Sequence, residues 1–319
     1  MRSIEHSKRL SEYNARLFDE LRRSPRHSIR DRNAPSRGIK PPDVMADFEM
    51  LGINSEGLKK AEAQSLKRQE AYLQSMRDYQ AKSVHFDGAK YQDAKGKFLA
   101  ARPGAQHFFP EVTSVFTSSG APPPPPPPHL SSNSDVQQPQ GIAKGSGLGW
   151  SDDDSKQSET VVAFDFSVFP SVAADYTFTG LMWLAGSYLV SANDQWWNSK
   201  QAHLDISVGI TVNPWQTDTP PPVQVAPPNA TIYVPNEKTI FDLNNDNIDQ
   251  SGAINDGEVL VYSTASNGGP LSPLPFGYIV TCWVFCSVYA QGAGAVAEFD
   301  FSGPNRGIGC PIVSMVRNS

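Results

Sequence analysis

Seven consecutive prolines at Pro122–Pro128 divide this 319-residue chain, because proline lacks the amide proton that a helix interior or a central strand needs. From Ser118 to Asp154 the composition shifts to Gly, Pro, Ser and Gln. Residues 118–158 therefore read as a linker, a stiff polyproline II rod followed by a flexible Gly/Ser portion. The linker separates residues 1–117 from residues 159–319, and the two sides differ in period and in charge.

Beyond the linker the hydrophobic period is two. Short runs rich in Val, Ile, Phe, Tyr, Trp and Thr alternate with Pro, Gly, Asn and Asp, the pattern of strands and turns. Strands are expected at 161–169, 176–184, 187–190, 203–212, 231–234, 239–243, 259–264, 278–289, 296–301 and 312–316. Leu204, Ile206, Val208, Ile210 and Val212 alternate with small or polar residues, as a strand with one buried face requires. With no βαβ rhythm over this span, the fold class is mainly β: an antiparallel, jelly-roll-like β-sandwich. The repeated pattern in VAFDFS (Val162–Ser167) and AEFDFS (Ala297–Ser302) places rings on one face and acids on the other, and suggests two strands near each other in one sheet. Tyr278–Tyr289 is apolar on both faces, so it is expected either in the middle of a sheet or covered on its outer face by another subunit. Cys282 and Cys286 share a face and read as small buried hydrophobes.

The charge is divided as sharply as the period. Residues 1–110 hold 21 Lys and Arg against 14 Asp and Glu, whereas residues 151–319 hold 5 against 17. Arg2, Lys8, Arg9, Arg16, Arg22, Arg23, Arg26 and Arg30 make the first forty residues a basic arm, suited to phosphates through counterion release or to anchoring on acidic surfaces. Leu10, Tyr13, Leu17, Phe18 and Leu21 recur on one face of a helix that ends before Pro25. A second helix is expected from about Glu56 to Lys82, where Leu66, Leu73 and Gln80 fall seven apart with Met76 between. Two heptads fit a surface helix as well as a coiled coil. Lys82–Phe109 is too mixed to assign.

Chemistry-bearing motifs are sparse. Of six histidines only His203 falls in the β region, and no nucleophile elbow accompanies it and Asp205, so a hydrolytic triad is disfavoured. Gly145–Gly149 lacks the strand and the helix of a phosphate loop. The 17 acids of residues 151–319 permit a glycosidase pair without selecting one. Asp242, Asn244 and Asp246 stand at alternate positions with Asp249 close behind, a partial calcium-loop pattern. Asn247 and Ala253 stand where an EF-hand wants Gly and Glu, so an Asx-rich turn between strands is the competing reading. Trp196 and Trp197, set among polar residues, are candidates for an exposed stacking surface. Three cysteines provide no disulfide framework and no zinc spacing, which points to a reducing compartment and no metal of the cysteine type. The longest apolar runs, Leu181–Val190 and Ile279–Phe285, are far shorter than the ~18 residues that span a bilayer, and the charged start lacks the apolar core of a secretory signal.

A basic helical arm, a Pro/Gly linker and an acidic β-sandwich resemble the modular layout of non-enveloped virus structural proteins. The resemblance covers the whole chain as an architecture and rests on no diagnostic motif. It implies a non-enzymatic capsid or spike component located in the virion, whose sandwich forms the shell or protrusion and binds a host receptor. It also implies self-association and contact with other capsid subunits, with the arm anchoring the subunit or facing nucleic acid. The arm is less basic than genome-packaging arms, which favours anchoring. A lectin-like module using Trp196, Trp197 and calcium is the alternative, and a sandwich-fold glycoside hydrolase a more distant one.

Overall fold

The computed structural model describes residues 13–18, 20–21, scattered positions between 56 and 78, and 87–120, 142–143, 146–150, 156–193, 200–214, 237–245, 247–267, 269–274, 277–292, 294–302 and 306–318. Strands dominate, as the period of two requires. In chain order they are β1 (Gln106–Phe108), β2 (Val112–Gly120), β3 (Ile142–Ala143), β4 (Ser146–Trp150), β5 (Lys156–Val168), β6 (Tyr176–Asn193), β7 (Gln201–Pro214), β8 (Lys238–Asn245), β9 (Asn247–Ser263), β10 (Tyr278–Gln291), β11 (Val296–Asp300) and β12 (Gly307–Arg317). Helix α1 spans Gly88–Ala100 and the single turn α2 Thr264–Asn267. Strands β1 to β4 precede residue 159, so the sheets draw on chain before and within the Pro/Gly-rich region.

Two antiparallel sheets pack as a sandwich. One follows the order β2-β5-β10-β7-β8. In the other, β6 is the spine, pairing with β12 and then β11 along one edge and with β9 along the whole of its other edge. β1 and β3 flank β12, and β4 flanks β11. The register between β12 and β6 shifts between Gly309 and Ile312, where Pro311 cannot donate to the ladder.

The core between the sheets collects alternate residues from each strand. Val280, Cys282, Val284, Cys286 and Val288 of β10 meet Leu184, Val190, Phe299, Phe301 and Val313 of the other sheet. Burial pushes the Cys282 and Cys286 thiols well above their ordinary range, so both act as apolar filler. The two FDF motifs lie in this core, but not in one sheet. Phe164 and Phe166 belong to β5, and Phe299 and Phe301 face them from the opposite sheet, at and just after the end of β11. The alternation placed the rings correctly on one face; it carried no information on which sheet each strand joins, because both sheets bury the same kind of face.

Each sheet also has an apolar outer face, and a helix from the N-terminal region covers each. Residues 13–18 and 20–21 are helical, and Leu17, Phe18 and Leu21 pack with Val161, Ala163, Trp283 and Phe285 outside the five-stranded sheet. Beyond the other sheet, α1 lays Tyr91 against Trp183 and Ala185, and Phe98 against Leu181 and Ile312. The Asp87 side chain caps α1 by accepting from the amides of Ala89 and Lys90, each at 3.0 Å, satisfying donors that a helix start leaves open. This helix lies in the stretch whose mixed composition assigned nothing. β10 occupies the middle of its sheet, and the helical residues 13–18 and 20–21 supply its outer cover.

Gly209 shows how close this packing is. It stands opposite Trp283 across β7 and β10, and a Cβ there would lie 2.2 Å from Cζ2 of the indole. The indole is itself held between the sheet and the helix. Gly209→Ala is expected to destabilise the fold by about 1–3 kcal/mol through overpacking, read as a lower urea midpoint at unchanged slope.

Candidate functional site

On β10 the residues that point away from the core are Ile279, Thr281, Trp283, Phe285 and Ser287, and they define the outer face of the five-stranded sheet. At one end of that face lies a buried polar cluster. Asp165 of β5 stands opposite Thr281 and is fully buried. Thr281 Oγ1 donates to Asp165 Oδ1 at 2.7 Å, and Asn14 Nδ2 of the helical segment donates to Asp165 Oδ2 at 2.5 Å. Asn14 Nδ2 also reaches Ser114 Oγ at 3.3 Å. One turn position away, Asn213 Nδ2 of β7 donates to the Tyr13 hydroxyl, whose ring packs with Ile279 and Val112.

Burial raises the Asp165 carboxyl to about 7, with Glu111 adding to the rise and the hydrogen bonds from Thr281 and Asn14 opposing it. Burial and the nearby Asp165 likewise push the Tyr13 phenol upward.

The middle of the face is the apolar contact with Leu17, Phe18 and Leu21. At the far end the face becomes acidic. Glu159 and Asp205 both stand opposite Ser287, one on each side of β10, and Asp242 stands opposite Asp205. Ser207 Oγ donates to Asp205 at 3.0 Å and Gln157 Nε2 to Glu159 at 2.8 Å. His203 Nε2 lies 3.3 Å from Asp242 Oδ1. Glu159, Asp205 and His203 are buried, while Asp242 is half exposed.

Of the candidate calcium-loop residues, three are placed on two strands. Asp242 and Asn244 lie on β8 in the five-stranded sheet, and Asp249 lies exposed on β9 in the other sheet, opposite Ser191. Asp246 falls outside the described residues, as do Trp196 and Trp197. Among the described residues no group of three metal-ligating side chains converges. Arg16 is helical and exposed; Arg2, Lys8, Arg9, Arg22, Arg23, Arg26 and Arg30 lie outside the described residues, as do Leu66, Leu73, Met76 and Gln80 of the heptad pattern.

Sequence reasoning missed the Asn14–Asp165–Thr281 cluster. The signal available was the FDF alternation, which turns Asp165 away from the core while its neighbours on that face, Val161 and Ala163, are apolar. The apolar neighbours mark that face as covered, and an acid on a covered face needs hydrogen-bonding partners.

No family model matches the chain, and no curated protein matches it. Among solved structures, TmCBM61 in complex with beta-1,4-galactotriose is 10% identical, covering 68% of this chain and 90% of its own, with a TM-score of 0.16. The enzymatically active domain of tailspike protein 4 from Bacteriophage CBA120 is 10% identical, covering 62% of this chain and 19% of its own, with a TM-score of 0.15. At such scores neither likeness carries an argument about this chain.

The helical segment therefore has one face that binds and one that does not. Leu17→Ala and Leu21→Ala, each at a fully or nearly fully buried side chain, are expected to cost about 2–5 kcal/mol apiece. Arg16→Ala, on the exposed face, should stay within about 0.5 kcal/mol; urea denaturation of the three variants checks the contrast.

Proposed function

We propose that this chain is a non-enzymatic structural assembly protein, a capsid or spike component whose sandwich self-associates in a virion. The observation that carries the reading is a pair of exposed valines on the β6-centred sheet. Val259 and Val261 of the 17-residue β9, 48% and 46% exposed, share the face of the strand that points away from the core residues Ile254, Leu260 and Tyr262. Contact of this face with a second copy would remove both valines from water.

The distribution of covers supports the same reading. α1 covers Leu181 and Trp183 on the outer face of the β6-centred sheet, whereas Val259, opposite Leu181 on the neighbouring strand, stays exposed. The acidic sandwich and basic arm add complementary charge for contacts between copies. Contact of the arm with nucleic acid, and contact of the loops with a host receptor or glycan, belong to this proposal as further partners.

The test is light scattering on the full chain after size exclusion at micromolar concentration, with the 260/280 nm ratio read on the same peak. A discrete oligomer is expected, converted to smaller species by Val259→Lys with Val261→Lys at unchanged circular dichroism. A wild-type monomer would overturn the proposal, and an elevated 260/280 ratio would identify the arm as a genome contact rather than an anchor.

A further inference from the structure

We propose that the helical residues 13–18 and 20–21 form a pH-sensitive latch, held on the five-stranded sheet while Asp165 keeps its proton and loosened when that proton is lost. The geometry sets Asp165 directly under the helix. Its two oxygens accept from Thr281 of the sheet and from Asn14 of the helix, and its carboxyl has no exposure in the docked state. Lifting the helix removes Asn14 and Tyr13 from above the carboxyl and admits water.

The groups packed around Asp165 are mostly neutral. The helix contributes Tyr13 and Asn14, β2 contributes Ser114, β10 Thr281, and β7 Thr211 and Asn213. Glu111, just before β2, is the charged neighbour and has the same sign; its Oε2 accepts from Ser167 at 2.8 Å. Among the described residues no cation faces the carboxyl. An ionised Asp165 under the helix is thus desolvated, supported by two neutral donors and opposed by Glu111, whereas a protonated one is a neutral polar group with hydrogen bonds. The second Asn14 amide atom, Oδ1, is buried with no partner. Turning the amide over brings that oxygen to 2.5 Å from Asp165 Oδ2, at the short end of the O–H···O range and below the N–H···O range.

The sign follows from linkage. With the helix lifted, the carboxyl returns to its ordinary value of 3.8; with the helix down it sits at about 7. The docked form binds the proton more tightly, so docking is fully favoured below pH about 4. It weakens up to tenfold per pH unit from there to about 7, and is flat above. The Tyr13 phenol, pushed upward, stays neutral throughout this window.

Hydrogen exchange of the amides in residues 13–21 of the full chain, expressed as protection factors from pH 5 to pH 8, tests the latch. Wild-type protection should fall by at least tenfold over this range, while Asp165→Asn, which keeps the shape and removes the charge, should hold it constant within twofold. Equal falls in both proteins would overturn the proposal. A second readout needs no variant: the 13C-labelled Asp165 carboxyl should titrate between pH 6 and 8, and titration near pH 4 in the docked protein would overturn it as well. Neither result depends on whether the chain assembles, so failure of the latch and failure of the assembly reading are separable.

Discussion

The architecture depends on one constraint: β10 is apolar on both faces, so it is stable only with a cover on each side. The β6-centred sheet provides the inner cover. The outer cover is a helix from the far end of the chain, whose Leu17, Phe18 and Leu21 bury Trp283 and Phe285. Removing apolar surface from water is worth about 25 cal/mol per Å², and an uncovered Trp283–Phe285 strip would instead be a site for aggregation. The N-terminal segment is therefore part of the folded body and not only an arm. α1 repeats the arrangement on the other sheet through Tyr91 and Phe98.

The same cover creates a cost that the polar cluster offsets. Asp165 cannot reach water once the helix is down, and a buried acid is tolerated only with partners or with its proton retained. Thr281 and Asn14 supply the partners, and the raised affinity for a proton follows from what they leave uncompensated. A buried carboxyl between two apolar contacts, Tyr13 with Ile279 and Leu17 with the Trp283 cluster, also favours one seat for the helix along β10, since a slide in either direction would cost Asp165 its Asn14 donor.

Much of this fold is written in local pattern. Strict alternation in β7 and β10, and the ring-in, acid-out spacing of Phe164, Asp165 and Phe166, determine strands and faces because neighbouring side chains must point oppositely. The 13–21 stripe is legible for the same reason with a period of 3.6. What local pattern does not encode is partnership. Two identical FDF runs joined different sheets, and the cover over β10 was equally consistent with another subunit until the helix was seen on it. α1 escaped because Tyr91, Ala94 and Phe98 are diluted by glycine and charge, and its start is defined by a capping side chain, Asp87, rather than by hydrophobicity. Of the candidate calcium-loop residues, Asp242 and Asn244 fall on β8 and Asp249 on β9, which join different sheets, and Asp246 between them lies outside the described residues.

The contact between the helix and β10 is the central claim, and a double-mutant cycle measures it directly. Leu21→Ala, Trp283→Ala and the double variant would be unfolded in urea alongside the wild type. If the helix packs on this strip, the two losses fall short of adding, with a coupling of about 0.5–3 kcal/mol. Losses that add to within about 0.3 kcal/mol would mean that Leu21 does not rest on Trp283, and the account of a helix-covered sheet would be contradicted.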